Sequence, residues 1–107
     1  MSHYARISSD DAFQMMLDGP VTIVDTRDEE SFKAGHITDA THLDNSAVQA
    51  FINDADTTIP VIVCCYHGNS SQAAGAYLAE KGFDRVYSLD GGYAEWSVKF
   101  PDDCEPD

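Results

Sequence analysis

The chain has 107 residues, with 6 Lys and Arg against 19 Asp and Glu and a formal net charge of −13. A polyanion of this size is repelled by nucleic-acid phosphates and by anionic membranes, which excludes both as primary partners. The length suits one domain, residues 1–107, with any site on its rim.

No apolar run approaches the ~20 residues that span a bilayer, and MSHYARISSDD lacks the basic and apolar regions of a secretory signal. Cys64, Cys65 and Cys104 are odd in number and two are adjacent, so they form no disulfide framework. A reducing cytoplasm is the expected location, and a special cysteine there points to chemistry rather than to cross-linking.

Ser8-Ser9-Asp10-Asp11 is an N-cap signal, and Ala12, Phe13, Met16 and Leu17 follow at helical spacing until Gly19-Pro20 stops the helix. Val21–Val24 reads as a strand bounded by Asp25-Thr26-Arg27-Asp28. Asp28–Ala34 reads as a short helix with an acidic start, ending at Gly35. Thr41–Leu43 is extended, and Ser46 is expected to cap a helix carrying Val48, Phe51 and Ile52. Pro60 opens Val61–Cys64, the most apolar run of the chain. Ser70–Lys81 is helical with Ala73, Ala74, Tyr77 and Leu78 on one face, and Gly82 stops it. Arg85–Leu89 is a further strand, Asp90-Gly91-Gly92 a turn, and Tyr93–Phe100 a last helix with Trp96, Tyr93 and Phe100 in the core. Residues 5–100 make the core of the domain, and the acidic tail 101–107 is expected to fray, with Cys104 exposed.

Val- and Ile-rich strands without clean alternation, separated by helices, predict an α/β fold: a central parallel sheet with helices on both faces. Ligands of such sheets bind beyond the carboxyl ends of the strands, which places a site near Asp25, Cys65 and Asp90.

Cys65-Tyr66-His67-Gly68-Asn69-Ser70-Ser71 is the turn from the most apolar strand into a helix, with a cysteine at its mouth. Free N–H groups at a helix start favour anions, and Gly68 allows successive amides to point inward. Ser70 and Ser71 are expected to cap the helix and donate to a bound oxyanion. A thiolate in such a ring is stabilised, so the pKa of Cys65 should fall below about 8.5. No Lys or Arg occurs between Lys33 and Lys81, so the loop relies on amides, hydroxyls and His67, a candidate substrate contact. Cys64 points to the other side of the strand and is assigned to the core. A phosphatase loop of the Cys-x5-Arg type needs an arginine at position 71, where this chain has Ser71. The cysteine and histidine spacing is not that of a zinc module.

Asp25-Thr26-Arg27, Gly35-His36-Ile37, the Cys65 loop and Gly91-Gly92-Tyr93-Ala94-Glu95-Trp96 occur in that order. Together they resemble the rhodanese domain, and the heptapeptide is similar to that of its short, single-domain bacterial thiosulfate sulfurtransferases. The resemblance implies a sulfurtransferase that carries sulfane sulfur on Cys65 as a persulfide, within a loop formed by Tyr66, His67, Gly68, Asn69, Ser70 and Ser71. It implies thiosulfate as donor, with cyanide or a small dithiol protein such as thioredoxin as acceptor, and neither metal nor cofactor. The larger two-domain enzymes carry basic residues after the cysteine. Tyr66 and His67 stand there in this chain, which implies weak binding of free thiosulfate. The alternative is a persulfide carrier or regulatory binding module with little turnover. Asp25 and Arg27 are expected to form a fold-keeping ion pair, and His36 a structural hydrogen bond.

Overall fold

The run at residues 61–64 builds two cores at once, because successive side chains of a strand face opposite sides of its sheet. The computed structural model describes residues 3–107. In chain order its elements are β1 (Ala5–Ile7), α1 (Ser9–Asp18), β2 (Thr22–Asp25), α2 (Glu29–Ala34), β3 (His36–Ile37) and β4 (Thr41–His42). There follow α3 (Val48–Asp54), β5 (Val61–Cys64), α4 (Ser70–Glu80), β6 (Val86–Leu89), α5 (Gly92–Lys99), a 3₁₀ turn (Pro101–Asp103) and β7 (Cys104–Glu105). Five parallel strands form the main sheet in the order β1-β6-β5-β2-β4. Ile62 and Cys64 pack with Ala12 of α1 and Trp96 of α5. Val61 and Val63 pack with Leu78 and Ala79 of α4 on the opposite face, where Val48 and Phe51 of α3 also lie. The expected parallel sheet with helices on both faces is therefore present. Among the described residues no helix is long and apolar enough to cross a membrane.

The Asp25–Arg27 pair has the fold-keeping role expected of it. Arg27 donates from Nη2 to Asp25 Oδ2 at 2.8 Å and to the Gly35 carbonyl at 2.6 Å. Its guanidinium carbon lies 4.1 Å from the Tyr93 ring centroid. One buried cation thus joins the end of β2 to the turn before β3 and to α5, and its hydrogen bonds offset the desolvation of both charges. His36 is likewise structural: its Nδ1 lies 2.8 Å from the Phe32 carbonyl, and its ring stacks on Phe32.

Four features differ from the sequence reading. β1 is an extra edge strand, only three residues long, with Ala5 and Arg6 exposed; its pairing with β6 holds it, and no periodicity announces it. Ser46 does not cap α3: Ala47 stands at the N-cap with no side-chain cap, and Asp44 instead holds the turn before the helix. Its Oδ1 accepts from the Ser46 hydroxyl at 2.7 Å and from the Ser46 and Ala47 amides. A carboxylate accepts these bonds more strongly than a hydroxyl can.

The inner face of α4 is Ser71, Gly75, Leu78 and Ala79, while Ala73 and Tyr77 are exposed. A Cβ on Gly75 would lie 3.5 Å from Tyr4 and Val86, so small residues let α4 approach β6 closely. Finally, the tail does not fray. β7 pairs antiparallel with β3, Ile37 opposite Cys104, and Cys104 is half-buried against the core rather than exposed. The Asp103 carbonyl also accepts from Thr38 N at 3.0 Å and from Trp96 Nε1 at 3.3 Å. Backbone groups make most of these contacts, so an acidic composition does not reveal them.

Candidate active site

The carboxyl ends of β2, β5 and β6 lie side by side, with Asp25 opposite Cys64 and Val63 opposite Ser88. The loop from Cys65 to Asn69 leaves β5 there and enters α4. Cys65 is one residue beyond Cys64, so its side chain turns to the other face, towards the start of α4. Its Sγ accepts from Gly68 N at 3.2 Å and from Ser71 N at 3.3 Å.

The amides converge on the sulfur because the carbonyls are held elsewhere. The N-terminus of α5 takes them: Tyr93 N donates to the Cys65 carbonyl at 2.8 Å and Ala94 N to the Tyr66 carbonyl at 3.1 Å. Free N–H groups at a helix start are natural partners for such carbonyls. Two glycines permit this arrangement. Gly68 has φ +91°, and a Cβ there would lie 3.0 Å from Gly91 N and from the Leu89 carbonyl. Gly92 has φ +57°, and a Cβ there would lie 2.5 Å from the Cys65 carbonyl oxygen. No other residue fits the contact between loop and helix without moving one of them.

Although it stands at the mouth of the turn, Cys65 is only 2% exposed. Burial alone would push its thiol up. The Ser71 and Ser70 side chains, with the Ser71 and Gly68 amides, outweigh that and bring the pKa from an ordinary 9.0 down to about 7. The donors thus favour the thiolate at this position. Cys64 is also fully buried, but there burial pushes the thiol far above its usual range, and the Asp25 carboxylate adds to the effect.

The remaining loop residues divide into two groups. Gly68 and Ser71 are buried against the sulfur and the sheet. Tyr66, His67, Asn69 and Ser70 are exposed and form the rim. The Tyr66 hydroxyl is 3.3 Å from Ser31 Oγ, so it tethers the loop to α2. Asn69 makes no side-chain cap of α4, and the Ser71 hydroxyl is not a helix cap either; it lies 2.7 Å from Ser88 Oγ. Ser88 and the backbone contact of Gly92 are absent from the sequence reading of the site. The Gly91-Gly92 motif was the available signal for the second; sheet register, which places Ser88, is not readable from one sequence. A groove of about 750 Å3 between α4 and the loops after β2 and β4 is lined by Arg27, Leu43, Val48, Ala73 and Tyr77, without Cys65. It explains why that face of α4 is apolar yet open.

Comparison with known proteins bears on the same loop and fold. The thiosulfate sulfurtransferase GlpE of Pseudomonas entomophila is 52% identical over 101 residues, covering 94% of this chain and 92% of its own. The thiosulfate sulfurtransferase GlpE of Stutzerimonas stutzeri is 50% identical and covers 100% of this chain and 97% of its own. The rhodanese-like domain of an Anabaena protein, solved in solution, superposes with a TM-score of 0.84 at 21% identity, over 98% of this chain and 81% of that one. The sequence model of the rhodanese-like domain matches residues 8–99. The parallel sheet, the cysteine turn at its carboxyl edge and relatives this similar over nearly the full length lead to one assignment: the chain belongs to the rhodanese family.

Proposed function

We propose that the protein is a thiosulfate sulfurtransferase in which Cys65 is the nucleophile and carries sulfur as a persulfide. The observation that supports this most strongly is a buried cysteine sulfur on which two loop amides converge. The relatives named thiosulfate sulfurtransferase give the donor. In the first half-reaction the Cys65 thiolate attacks the outer sulfur of thiosulfate. The sulfur–sulfur bond breaks, sulfite leaves with the electron pair, and Cys65 keeps one extra sulfur. Negative charge on that terminal sulfur lies where fixed amide dipoles already point, so little reorganisation is needed. In the second half-reaction a nucleophile takes the terminal sulfur and the Cys65 thiolate leaves. Cyanide becomes thiocyanate. A small dithiol protein such as thioredoxin becomes a persulfide, and its second thiol then displaces hydrosulfide to form a disulfide. Every step exchanges bonds to sulfur, and none calls on a metal or an organic cofactor. Three free cysteines fit a reducing cytoplasm.

Intact mass after thiosulfate treatment tests the reading. A gain of one sulfur (~32 Da) on Cys65 that disappears with cyanide is expected. No gain, or a gain on another residue, overturns it. A carrier with little turnover is the second reading, and one observation favours it: Arg27, which lines the neighbouring groove, commits its guanidinium to Asp25 and Gly35. Steady-state production of thiocyanate supports the enzyme, and a single turnover that then stalls supports the carrier.

A further inference from the structure

Ser71 and Ser88 form a hydroxyl pair in the interior, beside the loop that holds Cys65. Both are 0% exposed, and their oxygens are 2.7 Å apart. Ser71 belongs to the first turn of α4, and its own amide touches the Cys65 sulfur at 3.3 Å. Ser88 lies on β6, opposite Val63 of β5.

Two hydroxyls bring two protons, and the bond between them uses only one. If Ser71 donates to Ser88, the Ser88 proton is left facing an apolar interior of Val63 and its neighbours. If Ser88 donates to Ser71, the Ser71 proton is free to turn towards the sulfur that its own amide touches. A buried donor without an acceptor loses its hydration with nothing in return, which favours the second arrangement whenever the sulfur is ionised. An accepted bond also polarises a hydroxyl and strengthens the bond that it donates.

The titratable groups on the surrounding elements do not compete for this role. Cys64 is held as a thiol, His67 is turned to solvent, Asp90 pairs with Arg6 at 2.8 Å, and Glu95 accepts from Ser9 Oγ at 2.5 Å.

We propose that Ser88 is a positioning residue: its hydroxyl donates to Ser71 Oγ and so turns the Ser71 proton onto the Cys65 sulfur. Ser88 touches no reacting atom. It acts through Ser71, and it lies 23 residues beyond the cysteine, outside the loop that the sequence marks. The inference rests on Cys65 as the nucleophile, but its test reads the sulfur directly and needs no sulfur transfer.

The experiment is the pH dependence of iodoacetamide alkylation in the folded full chain, read on the Cys65 peptide by mass spectrometry. Ser71→Ala removes the direct donor and should raise the apparent pKa enough to slow alkylation at pH 6 about tenfold. Ser88→Ala removes only the orienting partner and should slow it about threefold. The double variant decides the matter. If Ser88 acts through Ser71, Ser71→Ala/Ser88→Ala has the same profile as Ser71→Ala alone. Additive shifts, or a Ser88→Ala profile that is unchanged or moved to lower pH, overturn the proposal. The expected shifts in a protein that fails to gain sulfur from thiosulfate would instead count against the sulfurtransferase reading and leave the hydroxyl relay standing.

Discussion

Cys64 and Cys65 are neighbours on one strand end, equally hidden from water and opposite in character. Both are almost fully buried. Cys64 faces Trp96 and Ile62, its Sγ reaches only the Cys65 carbonyl at 3.5 Å, and burial dominates, so it stays a thiol. Cys65 faces the loop amides and the serine hydroxyls, and its pKa falls to about 7. Burial as such therefore does not decide the charge state. The supply of oriented donors does, and the period of two along a strand decides which cysteine receives them.

The sharpest way to break this comparison is to remove each sulfur in turn. Cys65→Ala and Cys65→Ser should both abolish thiosulfate:cyanide turnover, because no other described thiol sits in an amide ring and a serine hydroxyl does not ionise there. Residual turnover of a few per cent would mean another nucleophile. Cys64→Ala should keep more than half the rate and lose about 1–2 kcal/mol of stability from the small cavity it leaves. Urea titration of both variants separates the two roles.

The next effect acts on the frame of the loop rather than on the sulfur. Gly92→Ala places a methyl carbon 2.5 Å from the Cys65 carbonyl, at φ +57°. Either α5 retreats and frees the carbonyls, or the loop shifts and the amides leave the sulfur. Turnover should fall about 100-fold, the scale of losing one oriented donor at an oxyanion site. A rate near wild type, in a crystal with the loop unmoved, would show that the contact with α5 is dispensable.

The pH dependence follows with a definite sign. Turnover limited by the first half-reaction should fall about tenfold per unit below pH 7, as Cys65 takes up its proton, and level off above it. Stability carries the same signature. Cys65 has its pKa lowered from 9.0 to about 7 on folding, so its contribution is full above about pH 9 and is lost as pH falls to about 7. The difference amounts to roughly 2–3 kcal/mol. In Cys65→Ala this rise between pH 7 and 9 should vanish from the urea midpoints. Cys64 works in the opposite sense: its pKa is raised, so its contribution is full below the unfolded value and falls as pH rises past it.

The same contrast separates what the sequence discloses from what it conceals. The heptapeptide at residues 65–71, its place between an apolar strand and a helix, and the opposite faces of Cys64 and Cys65 are all local, and all are legible. So is the Ser8 cap, whose side chain accepts from Asp11 N at 3.1 Å. What stays hidden depends on partners distant in the chain. β1 exists because β6 accepts it, and the tail is ordered because β3 offers two residues to pair. Ser88 meets Ser71 across 17 positions through sheet register alone. Apolar spacing on α4 picks out Ala73, Ala74, Tyr77 and Leu78, and of these only Leu78 is fully buried. Close approach to β6 instead selects Ser71 and Gly75, and leaves Tyr77 41% exposed beside the groove.

The smallest predicted effect asks how far the local field of the loop extends. Thiosulfate is a dianion, and the protein has a formal charge of −13. α4 runs from Ser70 to Glu80, so Glu80 lies about 15 Å along the helix from its start. Reversing that charge in water changes its interaction with a dianion at this distance by about 1 kcal/mol before screening. With a Debye length near 8 Å, about 0.2 kcal/mol survives. Glu80→Lys should therefore change KM for thiosulfate by a factor of about 1.3 at physiological salt, and by about threefold at 10 mM ionic strength, where the screening length is ~30 Å. A single added charge is felt more strongly at the rim. His67→Lys, two residues from Cys65, should lower KM about threefold even at physiological salt. A remote reversal as strong as the rim substitution at 0.15 M salt would mean that the protein's overall charge, and not its ring of amides and hydroxyls, sets the affinity for the anion.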